Sequence, residues 1–197
     1  MSAARRLLVT TQVVFFACVA VCALIAYGAG AESSGISYFG VHAPTLPLVV
    51  IAYAVAAMGL WRAAALLEGR DGVVTSTMRV VAVGLPLELV TPYNHGAFFN
   101  WAHMVIGVVI GVAQMGASAS VAWRYRQAAL SLATLVQLAG GLAAAMSLPD
   151  WGFNHMLESE VLFAFGYAWC LVQWTYAPRV LAVGALAPRG GDVADAT

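Results

Sequence analysis

The chain has 197 residues, of which 62% are hydrophobic and only 9% charged, and its formal net charge is zero. A soluble domain is about 25% charged, and a neutral chain lacks the basic footprint of a nucleic-acid binder, so both classes are excluded and no nucleic-acid partner is expected. The apolar residues come in blocks of about 20, the length that crosses a hydrocarbon core of about 30 Å, and no segment between them approaches the roughly 50 residues of a small soluble domain.

Arg5 and Arg6 precede a first apolar block at about 7–29. The run is longer than the roughly 7–15 residues of a signal-peptide core, so it reads as an uncleaved helix that Gly28 and Gly30 loosen at its end. Residues 31–44, AESSGISYFGVHAP, read as a loop, with Tyr38 and Phe39 suited to the membrane interface. Pro44 and Pro47 then open a second helix at about 45–67, since proline is tolerated in a first helical turn. Arg62 is placed to reach back to the interface.

The stretch 68–75, EGRDGVVT, reads as a turn, and a short third helix follows at about 76–90. Pro86 lacks a backbone donor and is expected to kink it. The fourth helix spans about 99–123, the fifth about 127–148 and the sixth about 157–176. Gly140 and Gly141 allow the fifth helix a close neighbour.

The chain has no lysine, and its basic residues are Arg5, Arg6, Arg62, Arg70, Arg79, Arg124, Arg126, Arg179 and Arg189, all at alternate block ends. Basic loops stay in the cytoplasm. The expected architecture is therefore all-α, a polytopic six-transmembrane-helix bundle over 1–183 with both termini cytoplasmic, followed by a disordered cytoplasmic tail at 184–197. Cys18, Cys22 and Cys170 lie inside apolar blocks and read as small buried hydrophobes.

Polar groups inside lipid are costly and face the bundle interior. In the fourth helix, Asn100, His103, Gly107, Gly111, Gln114 and Ser118 recur at helical spacing and make one polar or small face, with Val, Ile and Met opposite. Gln114, Gln137 and Gln173 lie mid-helix at similar estimated depth, which suits an interhelical amide layer or a polar lining.

The richest stretch is 91–105, TPYNHGAFFNWAHMV, at the turn between the third and fourth helices. Glu88 lies just before it. The topology gathers all four histidines, His42, His95, His103 and His155, on the same outer side as Glu88, Glu158 and Glu160.

Three readings are open for this cluster. Its carboxylates and histidines tie helix ends together. Alternatively, Glu88, His95, Asn100, His103, His155 and Glu158 form a pocket for a polar head group above apolar walls. The third is a zinc site with a catalytic water, although no HExxH-type ligand spacing is present. No GxSxG elbow supports a serine hydrolase, and Ser33, Ser34 and Ser37 read as turn residues.

GISYFG (35–40), TPYNHG (91–96) and FNWAHMVIG (99–107) resemble a family of six-helix bacterial membrane proteins of unknown function, best represented in actinobacteria. That family is distantly similar to the FRAG/DRAM/SFK lipid-linked membrane proteins. His103 matches a histidine at the start of the family's fourth helix, and Glu158 a carboxylate at the start of its last. The resemblance implies a bacterial plasma-membrane location and a role near lipids and the cell envelope, with no established reaction.

The expected function is binding of a membrane lipid or other amphiphile in an outward-facing pocket, or service as an accessory subunit of envelope machinery beside a membrane-protein partner. No cofactor is expected. The alternatives are a membrane-embedded hydrolase or transferase using a metal or a His–Glu pair, and a purely structural subunit. The absence of an internal repeat argues against a transporter.

Overall fold

The computed structural model describes residues 2–148 and 152–177. The predicted tail at 184–197 lies outside them, as do Arg179 and Arg189. Among the described residues all regular structure is helical: α1 (Ala3–Ala26), α2 (Ala29–Ser34), α3 (Ile36–Val41), α4 (Leu46–Leu66), α5 (Gly72–Val90), α6 (Ala97–Tyr125), α7 (Ala128–Ser147) and α8 (Met156–Trp174). Five of them, α1, α4, α5, α6 and α7, are long and apolar enough to cross a membrane. The protein is a multi-pass membrane protein by that measure. The 19-residue α8 carries Glu158 and Glu160 in its first turns, which lowers its mean hydropathy.

The surface supports the same conclusion. Large apolar side chains face outward, among them Leu24 at 87% and Val112 at 68% exposure. Gln137 and Ser118, by contrast, are buried. A soluble protein does not display apolar area on this scale; in lipid it is the expected outer face.

Sequential helices pack side by side, α1 on α4, α4 on α5, α5 on α6, α6 on α7 and α7 on α8, and α8 closes the ring against α1. The register of α1 and α8 is antiparallel along their length. The Arg5 guanidinium donates to the Thr175 hydroxyl at 2.9 Å, the Gln12 amide to the Ala168 carbonyl at 3.0 Å, and the Tyr27 hydroxyl to Glu158 at 2.6 Å. So α8 traverses the same bundle depth as α1.

One end of the bundle collects the arginines. Arg70 donates to the Trp174 and Ala177 carbonyls, each at 3.2 Å. Arg124 pairs with Asp71 at 2.8 Å, and the other oxygen of that buried carboxylate accepts from the Val73 and Val74 amides. Asp71 is thereby the N-cap of α5, satisfying donors that a helix start leaves free. This cap starts α5 four residues earlier than residue 76, and α5 continues through Pro86 to Val90.

Close approach comes from glycine. A Cβ on Gly166 would overlap the Gln137 backbone, and one on Gly140 would lie 2.8 Å from the Ser159 carbonyl oxygen, so α7 and α8 pack nearly backbone to backbone. A Cβ on Gly59 would strike Thr11, which draws α4 onto α1. Small residues at such positions drive helix association in lipid, where no hydrophobic force acts between helices.

The segment expected to be a loop at 31–44 holds two short helices, α2 and α3, hinged at Gly35. Gly35 has φ of +65°, a conformation that favours glycine. Its Cα lies against the Glu160 carboxylate. The pair α2–α3 lies over the end opposite the arginines.

Candidate functional site

Residues of α1, α3, α4, α5, α6 and α8 line a partly open cavity of about 260 Å³. Its position follows from the helix faces. On α6 the small residues Gly107 and Gly111 and then Gln114 line it, so the stripe read from the sequence faces the interior. The opposite face, Val105, Val108, Val109 and Val112, is exposed. Glycines without side chains leave space that the large residues of α1 and α8, Phe15, Phe16 and Phe163, only partly fill.

The polar groups of the cavity fall in two tiers. Near the end covered by α3 are Glu88, Glu160, Ser37 and Tyr53; deeper are Thr11, Gln12, Gln114 and Tyr167, with apolar and aromatic residues between. Glu160 and Leu171 line the two extremes on α8, a span of about 16 Å at 1.5 Å per residue.

Glu160 accepts the Ile36 amide at 2.7 Å and so fixes the start of α3 beside Gly35. Glu88 lines the same cavity from the last turn of α5, with Tyr53 beside it. The Tyr167 hydroxyl is buried and has no hydrogen-bond partner. Gln114 is 9% exposed and lines the cavity.

His103 stands next to this cavity. Its Nδ1 lies 3.0 Å from the Thr91 carbonyl and 3.3 Å from that of Glu88, and its Nε2 lies 2.8 Å from the Ser37 hydroxyl. Carbonyls only accept, so Nδ1 carries the proton; in the neutral ring Nε2 then accepts from Ser37. The imidazole joins α3 to the Glu88 and Thr91 carbonyls at the end of α5. A void of about 20 Å³, room for about one water, separates His103 from Glu88 and Tyr53.

The six residues expected to form the pocket are thus divided. Glu88 lines the main cavity and His103 the adjoining void. His95, Asn100, His155 and Glu158 are exposed. His95 packs edge-on against Phe99 in the α5–α6 turn. Asn100 belongs to the predicted α6 stripe but lies at its exposed start, before the helix meets its neighbours.

Glu158 accepts from Tyr27 and lies 3.8 Å from His155 Nδ1. Tyr27 lies outside α1 and is exposed; the hydrogen bond to the Glu158 carboxylate pushes its phenol up to about 12. Glu158 and Glu160 point to different sides because two residues turn a helix by about 200°.

The three mid-helix glutamines do not join in one hydrogen-bonded layer. Gln114 faces the cavity. Gln137 is fully buried where α8 meets α7 at Gly166, and neither of its amide atoms has a partner. Gln173 lies about two turns beyond Gly166, near the arginine end.

Glu160, Ser37, Tyr53, Gln12 and Tyr167 were not expected as lining residues. Four of the five are polar groups inside apolar blocks, which is the signal that singled out Gln114; Ser37 gave none, because its partner is 66 residues away. Among the described residues, no three His, Cys, Asp or Glu side chains converge as ligands to one metal ion would. Comparison with known proteins found no matching family model, curated protein or solved structure.

Proposed function

We propose that this protein crosses a bacterial plasma membrane six times with both termini in the cytoplasm and binds a lipid or other amphiphile in its interior cavity. The observation that carries the reading is the cavity itself: apolar walls, a polar tier at one end and a second one deep inside. Binding sites for small molecules have this character, apolar with few placed polar groups. The sixth crossing rests on the antiparallel register of α1 and α8, and the orientation on the arginine end.

The test is direct. Purified protein is washed in neutral detergent, its bound lipids are extracted and identified by mass spectrometry, and the amount is compared with that held by Gly111→Leu, which fills the cavity. Amphiphile retained by the wild type and lost by the variant supports the reading. Equal amounts in both contradict it.

A second reading rests on the Ser37–His103 pair. A serine hydroxyl donating to an imidazole whose far nitrogen is held by carbonyls has the geometry of an activated nucleophile. Ser37 would attack the carbonyl of a bound ester, and His103 would pass its proton to the leaving alkoxide. Water, activated by His103, would then release the acyl group. Labelling of Ser37 by a fluorophosphonate, abolished in His103→Ala, separates this reading from simple binding.

A further inference from the structure

The charge of the cavity narrows the class of ligand. Two carboxylates, Glu88 and Glu160, line it, and among the described residues no arginine or histidine does. Among the described residues, Arg5, Arg70, Arg79 and Arg124 lie at the opposite end, occupied by Thr175, the Trp174 and Ala177 carbonyls, Glu68 and Asp71. A carboxylate away from water needs a cation or several donors. Glu160 has one, the Ile36 amide. Aromatic rings stand beside the two acids: Phe15 stacks on Tyr53 with centroids 6.2 Å apart, and Phe163 approaches from α8. Such faces attract ammonium groups, most strongly when these are desolvated.

An independent observation points to an occupant of some length. The Tyr167 hydroxyl, on a residue 5% exposed, is buried without a partner, and Tyr167 lines the deep part of the same cavity, beyond the aromatic section. An occupant reaching from the acids to this residue is elongated and apolar in its middle.

We infer that the cavity takes a cationic amphiphile, with an ammonium head held between Glu88 and Glu160 among aromatic rings and an apolar chain running toward Tyr167. This rests on the cavity reading above and adds the sign of the head group.

The experiment uses full-length protein in neutral maltoside micelles. Decyltrimethylammonium, decanol and decyl sulfate are titrated by calorimetry, and saturable binding is taken as the part absent in Gly111→Leu. The cation is expected to bind at least about tenfold more tightly than the alcohol and the sulfate not at all. Glu88→Gln should weaken the cation at least tenfold and leave the alcohol unchanged. Glu160→Gln keeps an oxygen for the Ile36 amide, so a folded protein with the same loss is expected from it. If cation and alcohol bind equally and Gly111→Leu removes both, the cation inference fails while the cavity reading stands. If no probe shows saturable binding, both fail.

Discussion

Gly111→Leu asks whether the centre of the bundle is open space. A Cβ at Gly111 would meet only Phe163 Cζ, at 3.9 Å, an ordinary van der Waals distance. The leucine then extends into a cavity of about 260 Å³. It adds roughly 100 Å³ of side chain, and at about 24 cal/mol per Å³ of cavity removed this is worth about 2 kcal/mol. Replacing glycine inside a helix adds up to about 1 kcal/mol more. For a chain of this size, 2 kcal/mol corresponds to about 4–8 °C in Tm. The assay is thermal unfolding of delipidated protein in detergent, followed by tryptophan fluorescence. The wild type, once resupplied with its amphiphile, should regain stability that the variant cannot. A fall in Tm on substitution would mean that Gly111 faces packed atoms, and the reasoning would be refuted.

The remaining predictions concern the frame. Gly166→Val places a side chain into the Gln137 backbone, which cannot rotate away; a loss of about 3 kcal/mol is expected, at the upper end for overpacking, read as a lowered Tm and reduced yield, and an unchanged Tm would contradict the α7–α8 contact. Asp71→Ala removes both the α5 cap and the partner of Arg124 and is expected to lose about 2 kcal/mol, while Asp71→Asn, which keeps the cap, loses less; equal losses would assign the whole effect to the ion pair. His103→Ala releases α3 from the α5 end, so proteolysis or hydrogen exchange should speed up in 35–42 before the rest of the chain responds; uniform exchange would count against this tether. Tyr27 titrates at about 12 because its protonated form bonds Glu158. A raised pKa means that the folded state holds this proton more tightly, so the bond's contribution is complete below the ordinary tyrosine value of about 10 and is lost as pH rises through 12. Difference absorbance of wild type minus Glu158→Gln should show one tyrosine ionising later in the wild type; no difference would remove the contact.

The helices were legible because blocks of apolar residues need only length to be recognised, and the α6 stripe because glycine, glutamine and serine at helical spacing have few uses in lipid. Gly107, Gly111 and Gln114 all face the cavity for that reason. The site was read less fully. Its expected members came from the turns at one surface, where polar residues are common: His95, Asn100 and His155 are exposed. The lining acids are Glu88 and Glu160, and separating Glu160 from Glu158 requires knowing the rotation of α8, which Gly140 and Gly166 set through contact with α7. The partnership of Ser37 with His103 depends on how α3 folds over the helix ends. That fold follows from Gly35 at positive φ and the Glu160 carboxylate beneath it, a long-range contact without a local periodicity.

The most direct test of the central claim is native mass spectrometry of the wild-type protein released from neutral detergent. The account predicts one amphiphile per chain, of a mass matching a cationic head and an apolar tail, surviving collisional activation that strips loosely bound lipid. Bare protein under all release conditions, from preparations that are folded by thermal unfolding, would contradict it.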